Sequence, residues 1–162
     1  MKGQSRIARL LVIVLRERVF GTILVPVEDN AVSLRALATA VSLARALAGG
    51  LVLLHVAEPL PTYTSQVALR LPEGELERMA AEYGWKILRN FEAQVPEEVA
   101  CRTLLRQGHK SVWREILAAA VEEGADLIVI GTHGREGVMR VVLGSVAERV
   151  AHHAEVPVML VR

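Results

Sequence analysis

The amino-acid sequence predicts an α/β protein in which a five-stranded parallel sheet carries helices on both faces. Five short apolar runs, each typical of a buried strand, alternate with segments of helical periodicity. In addition, 52% of the 162 residues are hydrophobic but only 4% are aromatic, a balance that suits Ala-, Val- and Leu-rich helices packed on a parallel sheet. A chain of this length favours one domain with a sizeable core.

The first half of the chain contains two predicted strands, residues 22–27 and 51–57, and two predicted helices, residues 30–48 and 73–94. We expect Asn30 to cap the first helix and Gly49-Gly50 to end it. The predicted inner faces of the two helices hold Leu34, Leu37, Val41, Ala44 and Ala48, and then Leu76, Met79, Ala80, Tyr83, Ile87 and Phe91. Residues 58–71, which include two prolines, are predicted to form a loop.

The second half continues the alternation of strands and helices. Its predicted strands are residues 99–105, 126–130 and 157–161, and its predicted helices are residues 111–123 and 145–154. Gly124 is expected to end the first of these helices. Cys101 is expected to be buried and inert within its strand. Because it is the only cysteine, the chain fits a reducing cytoplasm.

Charge is distributed unevenly along the chain. The formal net charge is only +1, so no global basic field indicates a nucleic-acid partner. Residues 1–20 nevertheless carry a net charge of +4, and the remaining residues carry −3. We therefore divide the chain into a basic N-terminal extension, residues 1–20, and a single domain, residues 21–162.

Within the N-terminal extension, residues 5–18 fit an amphipathic helix, although Val12-Ile13-Val14 also suits an extended conformation. The apolar run from Leu10 to Leu15 is too short to span a bilayer, and charged residues follow it in place of a cleavage site. We therefore expect no transmembrane segment and a cytoplasmic location. The extension is interpreted as a helix that covers apolar surface or as a partly ordered tail, with membrane or partner docking as the alternative.

A glycine-bearing loop lies between the fourth predicted strand and the last predicted helix. It begins with Gly131-Thr132-His133-Gly134 and ends, nine residues later, with Gly144-Ser145. Glycine lets backbone N–H groups approach an oxygen without a Cβ in the way, and a helix N-terminus adds unpaired N–H groups and about half a positive charge. A strand, such a loop and a helix start in this order indicate binding of nucleotide phosphates.

The same loop also allows a structural interpretation. Its glycines can be plain turn residues, and Ser145 with Glu148 fits a capping box that satisfies the amides at the helix start. Arg135 and Arg140 either approach phosphate oxygens or are solvated loop charges. His133 is disfavoured as a general acid or base because no orienting acid or hydroxyl adjoins it in sequence. The chain has no P-loop lysine motif and no kinase motif.

The spacing G-x2-G-x9-G-[ST] resembles the nucleotide-binding signature of the universal stress protein family, in its ATP-binding branch. By strand and helix order, the resemblance covers residues 22–162. It implies a Rossmann-like sheet of the adenine nucleotide alpha hydrolase type, with strand order 3-2-1-4-5 and a ligand crevice between the first and fourth strands. It also implies that the nucleotide phosphates are bound by Gly131, Gly134, Arg135, Gly144, Ser145 and Val146.

The resemblance further implies that the nucleoside is held by Pro26, Val27, Glu28, Asp29 and Val56. The family has an aspartate after its first strand, and a gap-free alignment puts Glu28 at that position. Either Glu28 reaches the ribose, or Asp29 takes the role. Val56 is expected to back the adenine, with a plain core valine as the alternative. His55 beside it is interpreted as a structural histidine.

These observations predict an ATP-binding regulatory module of the stress response. Any Mg²⁺ is expected to be held mainly by the nucleotide and water, because no paired acids have metal-binding spacing beside the loop. Adjacent His152 and His153 point about 100° apart on a helix and do not favour a shared metal. The resemblance implies a homodimer through residues 157–161, an exposed apolar edge if unpaired. The alternatives are a slow ATPase or nucleotide transferase, and a nucleotide-free dimeric scaffold.

Overall fold

The computed structural model describes residues 20–58, 72, 74–108, 111–132 and 144–162. Five strands and four helices alternate over these residues, which confirms the predicted α/β class. The helix predicted over residues 5–18 lies outside the described residues, as does the loop predicted over residues 58–71 apart from Glu58. In chain order the elements are β1 (Thr22–Pro26), α1 (Ala31–Leu47), β2 (Gly50–Ala57), α2 (Glu75–Glu92), β3 (Cys101–Gln107), α3 (Val112–Glu122), β4 (Leu127–Gly131), α4 (Ser145–His153) and β5 (Val158–Val161).

The strands form one parallel sheet in the order β3-β2-β1-β4-β5, as the resemblance implied. From β1 the chain winds outward to β3 and then returns to the other side of β1 to form β4. The direction of winding therefore reverses between β1 and β4. In open parallel sheets, the crevice beyond the strand ends at such a reversal is where ligands bind.

Alternate side chains of the central strand enter two separate hydrophobic cores. Ile23 and Val25 face the core that is covered by α1 and α2. Leu24 faces the opposite core, which is covered by α3 and α4. All three side chains are fully buried, so the sheet is covered by helices on both faces, as predicted.

The inner face of α2 differs from the prediction. Met79 and Tyr83 are 43% and 48% exposed, and Leu34 on α1 is likewise exposed. The gap between α2 and the sheet is tight at Gly84, because a Cβ there would lie 2.6 Å from Leu105 Cδ1. Because α2 lies close to the sheet at this point, small residues face the sheet there. Its buried residues are Ala80, Gly84, Ile87, Leu88 and Phe91.

The third strand begins at Cys101, two residues later than predicted, because Val99 closes a turn by donating its N–H to Pro96 O at 2.9 Å. Cys101 is half-buried rather than buried. Burial, and then the negative charge of Glu92, raise the pKa of the Cys101 thiol to about 11. The reactive thiolate is therefore scarce at neutral pH, in agreement with the predicted inertness.

The end of α1 is formed by an alanine rather than by a glycine. Ala48 has the left-handed angles φ 52° and ψ 35°, and its N–H donates to Ala44 O. Gly49 is not left-handed and has a different role, since a Cβ there would lie 2.5 Å from Phe20 O. The predicted cap at Gly49 is therefore wrong. Gly124, which follows α3 with φ 60°, does have the predicted left-handed conformation.

We expect Ala48→Gly to raise the free energy of unfolding by about 0.5–1 kcal/mol, because left-handed backbone is strained in a residue that carries a Cβ. Ala38→Gly is the matched control, since Ala38 is exposed within α1. That change should lower the free energy of unfolding by about 1 kcal/mol. Urea unfolding at one protein concentration measures both variants. A loss of stability in Ala48→Gly would contradict the prediction.

Candidate functional site

A cavity of about 350 Å³ opens at the carboxyl ends of β1 and β4, where the winding of the sheet reverses. This size lies within the range of small-molecule sites. The ends of β1, β2 and β4 and the first turns of α1, α3 and α4 contribute to its wall. Eight of the residues predicted to bind nucleotide line it: Pro26, Val27, Glu28, Val56, Gly131, Gly144, Ser145 and Val146.

Several lining residues were missed by the sequence reasoning. Glu58, one residue beyond β2, brings a second carboxylate to the cavity, and Ser33 and Thr132 bring hydroxyl groups. The signal that could have identified them is their position: Glu58 and Thr132 directly follow strands, and Ser33 lies at a helix start. The remaining lining residues that were not assigned to the site are Asn30, Leu54, Val112, Ile116, Ile130 and Ala147.

A hydrogen-bonded turn fixes the chain after β1. The Asn30 side chain caps α1 by accepting from the Ser33 N–H at 2.8 Å, which confirms its predicted role. Ser33 Oγ in turn accepts from the Glu28 N–H at 3.0 Å. The Asn30 N–H donates to Glu28 O at 2.7 Å. This turn holds the Glu28 backbone at the rim of the cavity, so its carboxylate starts from a fixed point.

The two acids after β1 have different surroundings. Asp29 accepts a hydrogen bond from the Tyr83 hydroxyl of α2 at 3.2 Å and is not among the residues that line the cavity. Partial desolvation of its hydroxyl, and then this bond to Asp29, raise the pKa of the exposed Tyr83. Glu28 does line the cavity. Of the two alternatives in the sequence, the geometry therefore favours Glu28 as the carboxylate that faces a ligand.

Gly131 ends β4 and is needed for packing as well as for access to the cavity. A Cβ at this position would lie 2.7 Å from Val32 Cγ1 on α1. Gly131 also pairs in register with Val161 of β5. A side chain at position 131 would therefore disturb the contact between α1 and the sheet. Substitution of this glycine cannot separate ligand binding from folding.

The two ends of the glycine loop meet beside the cavity. The Gly144 N–H donates to Thr132 O at 2.6 Å, and the Thr132 N–H donates to Val161 O at 2.8 Å. The structure thus brings Gly131 and the Gly144-Ser145 pair to the same wall. Gly134, Arg135, Arg140 and His133 lie outside the described residues, so their predicted roles stay predictions.

The capping box predicted at Ser145 and Glu148 is wrong. Gly144, which has no side chain, occupies the N-cap position of α4, and Ser145 is the first helical residue. A helix leaves the N–H groups of its first turn without intrahelical partners. Here those groups belong to Ser145, Val146 and Ala147, which all line the cavity. The result is an anion-attracting wall made of backbone.

The opposite part of the cavity is apolar. Val56 at the end of β2, with Val112 and Ile116 of α3, provides a hydrophobic surface suited to a planar base. His55 is 8% exposed, and its Nδ1 lies 2.8 Å from Val27 O, to which it donates. It is not among the lining residues, so its predicted structural role agrees with the geometry.

Membrane-spanning helices and metal clusters are both absent from the part of the chain that the structure describes. Within the described residues, no helix is long and apolar enough to cross a membrane. Nor do these residues contain a group of three or more His, Cys, Asp or Glu side chains placed to hold a metal ion.

The fold and the cavity together define a doubly wound α/β protein with a ligand-sized site at the point where its strand order reverses. A family model described as the universal stress protein family matches residues 20–162. Universal stress protein YxiE of Bacillus subtilis is 33% identical over 149 residues, which cover 88% of this chain and 99% of the relative. A universal stress protein of Thermus aquaticus is 36% identical, with 88% and 99% covered. The chain belongs to the universal stress protein family.

Solved structures show the same fold. Universal stress protein UspA from Lactobacillus plantarum superposes with a TM-score of 0.71 at 26% identity, over 87% of this chain and 97% of that one. A universal stress protein in complex with cAMP gives a TM-score of 0.61 at 23% identity, covering 89% and 98%. One from Archaeoglobus fulgidus in complex with dAMP gives 0.55 at 20% identity, covering 89% and 99%.

Proposed function

We propose that this chain binds ATP in the cavity between β1 and β4 and acts as a nucleotide-dependent regulatory module of the stress response. One observation carries the proposal: α4 begins at the cavity with a glycine at its N-cap, and Ser145, Val146 and Ala147, whose N–H groups have no intrahelical partner, line the cavity together with Gly131. These groups and the helix dipole attract phosphate oxygens. We assign Gly134 and Arg135, in the same loop, to further phosphate contacts.

The other parts of the nucleotide have matching surroundings. We place the adenine against Val56 and Val112, in the apolar part of the cavity, and the ribose beside Pro26, Val27 and Glu28 at the end of β1. The proteins solved with cAMP and with dAMP share the fold and an adenine nucleotide ligand. They support an adenine nucleotide here, and the triphosphate is our extension from the helix start at the cavity and the glycine spacing.

Two carboxylates, Glu28 and Glu58, line a cavity that we propose for a polyanion. Like charges at short range are costly, so a counter-ion on the phosphates would lower the free energy of binding. We propose that ATP binds with Mg²⁺ held mainly by the nucleotide and water. Titration with and without Mg²⁺ should show tighter binding with the ion, and equal affinity would argue against this part of the proposal.

Isothermal titration calorimetry of the purified chain with Mg²⁺-ATP tests the central proposal. We expect saturable binding with one nucleotide per chain, and weaker binding of Mg²⁺-GTP. Absence of saturable heat with ATP would leave the nucleotide-free scaffold as the better interpretation. A steady-state phosphate-release assay separates regulation from enzymology, since turnover of about 1 s⁻¹ or more would favour an ATPase over a regulatory module.

We further propose a cytoplasmic homodimer that forms through β5. Among the residues that the structure describes, this strand pairs only with β4, and Met159 and Leu160 are 36% and 39% exposed. The carbonyl groups of Pro157 and Val161 accept from the N–H groups of Ile128 in β4 and of Thr132 directly after it. Because alternate residues of a parallel strand bond to the same neighbour, the N–H and C=O of Leu160 point away from β4. A second copy of the strand would satisfy those groups and cover an exposed edge.

Leu160→Pro is expected to raise the dimer dissociation constant at least about tenfold, because proline removes an outward N–H and leaves the bonds of β5 to β4 in place. Leu160→Ala is the control for the loss of the side chain alone, and its effect should be smaller. Sedimentation velocity across a dilution series measures both constants. A monomeric wild type, or equal effects of both changes, would contradict pairing through this edge.

A further inference from the structure

A group of aromatic and basic side chains lies on α3 and α4, apart from the cavity. Trp113 and Arg114 belong to the first turn of α3, and Arg149, His152 and His153 belong to the second half of α4. We call these five residues the Trp113 cluster. None of them is among the residues that line the cavity. The proposed nucleotide site therefore does not account for them.

The indole of Trp113 organises the cluster. The Cζ atoms of Arg114 and Arg149 lie 5.0 and 5.8 Å from the centroid of its ring, within the range of cation–π contacts. The ring of His153 lies 4.9 Å from it with a tilt of 32°, and His152 lies 5.1 Å beyond, edge-on to His153. His153 Nδ1 is 2.9 Å from Arg149 O, a bond that holds the imidazole in place.

Within the described ranges, the two arginines of the cluster lack the carboxylate partners that four other arginines have. Arg45, Arg78, Arg102 and Arg106 all form ion pairs with glutamates. Over the part of the chain that the structure describes, Arg114 and Arg149 join no such pair. A guanidinium stacked on a ring keeps its N–H edge available for a bidentate anion. Both arginines are exposed, so the edges are accessible.

We propose that the Trp113 cluster is a docking site for an acidic peptide segment of a partner protein, with carboxylates bound by Arg114 and Arg149. Two guanidinium groups and an imidazole already lie against the indole, so the ring is not offered to a nucleobase. A bilayer surface fits less well, because the cluster presents charge without an apolar face to insert. The site does not depend on nucleotide binding.

Fluorescence anisotropy with fluorescein-labelled hexaglutamate tests the site on the full chain, at fixed pH and low salt. We expect saturable binding to the wild type. The double change Arg114→Gln and Arg149→Gln should weaken it about tenfold or more, because it removes two charge-assisted contacts. The matched control, Lys86→Gln with Arg89→Gln, removes the same charge from exposed positions on α2 and should change the affinity less than twofold.

A second readout locates the bound peptide. In a Trp85→Phe background Trp113 is the only tryptophan, so unlabelled hexaglutamate should change the emission of the protein at the same concentrations. The proposal is overturned if the wild type shows no saturable binding, if both double variants lose affinity equally, or if Trp113 emission stays constant. Tighter binding of oligothymidylate or phosphatidylserine vesicles through the same arginines would overturn the assignment to an acidic peptide.

Discussion

Ser145→Asp is expected to lower the affinity for ATP at least about 100-fold without unfolding the protein. A carboxylate in the first turn of α4 would lie beside the proposed phosphate position, and one like charge about 4–5 Å away costs about 3–4 kcal/mol at an effective dielectric constant of about 20. The same carboxylate suits a helix N-terminus and should stabilise α4 by about 0.5 kcal/mol. Binding and stability are therefore expected to change in opposite directions.

The control for this prediction is Ser111→Asp. Ser111 is the N-cap of α3, carries no side-chain cap hydrogen bond, and is not among the residues that line the cavity. Its neighbour Val112 lies in the part of the cavity that we assign to the adenine rather than to the phosphates, so the same charge should change ATP affinity much less, by about tenfold at most. Calorimetric titration and urea unfolding of both variants provide the measurements. Undiminished ATP binding by Ser145→Asp would show that phosphates do not lie at α4.

The sequence alone does not decide whether Ser145 is the N-cap of α4 or its first helical residue. Ser145 with Glu148 satisfies the pattern of a capping box as well as that of a phosphate loop. The patterns differ only in which residue is the N-cap, and that is set by the hydrogen bond from Gly144 N–H to Thr132 O across the loop. A contact between residues twelve apart in sequence has no local signature.

The sequence predicted only part of what the loop glycines do in the structure. Their spacing predicted that Gly131 and Gly144 would meet at one wall of the cavity, and they do. It did not show that Gly131 is also required for packing against Val32 of α1. The sequence does not indicate which neighbouring residues pack closely against a glycine. Gly144, with φ −58° and ψ 140°, has a backbone that other residues adopt readily.

The fold was largely predictable because strand and helix periods are local properties. The strand order came from resemblance, and the structure confirms it. The face of α2 was not predictable from its own periodicity, since Met79 and Tyr83 carry more apolar surface than the buried Ala80 and Gly84. That error also concealed the hydrogen bond from Tyr83 to Asp29, the contact that favours Glu28 as the acid facing the cavity.

At Gly84 on α2, helix propensity and packing predict opposite effects of a valine substitution on the free energy of unfolding. Valine forms helix slightly better than glycine, so propensity alone would make Gly84→Val stabilising. A Cβ at Gly84 would lie 2.6 Å from Leu105 Cδ1 and 2.8 Å from His55 Cδ2, closer than carbon atoms pack. Because the His55 ring is buried and hydrogen-bonded to Val27 O, it has little room to move. We expect Gly84→Val to lower the free energy of unfolding by about 2–3 kcal/mol.

Lys86→Val provides the control for Gly84→Val, because it places the same side chain on an exposed position of α2, two residues away. The lower helix propensity of valine should reduce the free energy of unfolding by only about 0.3–0.5 kcal/mol. Urea unfolding of both variants at one protein concentration measures the difference. If Gly84→Val were as stable as the wild type, α2 would not lie as close to β2 and β3 as the structure places it. The exposed Tyr83 would then lose its explanation, because it is the close fit at Gly84 that turns Tyr83 away from the sheet and toward Asp29.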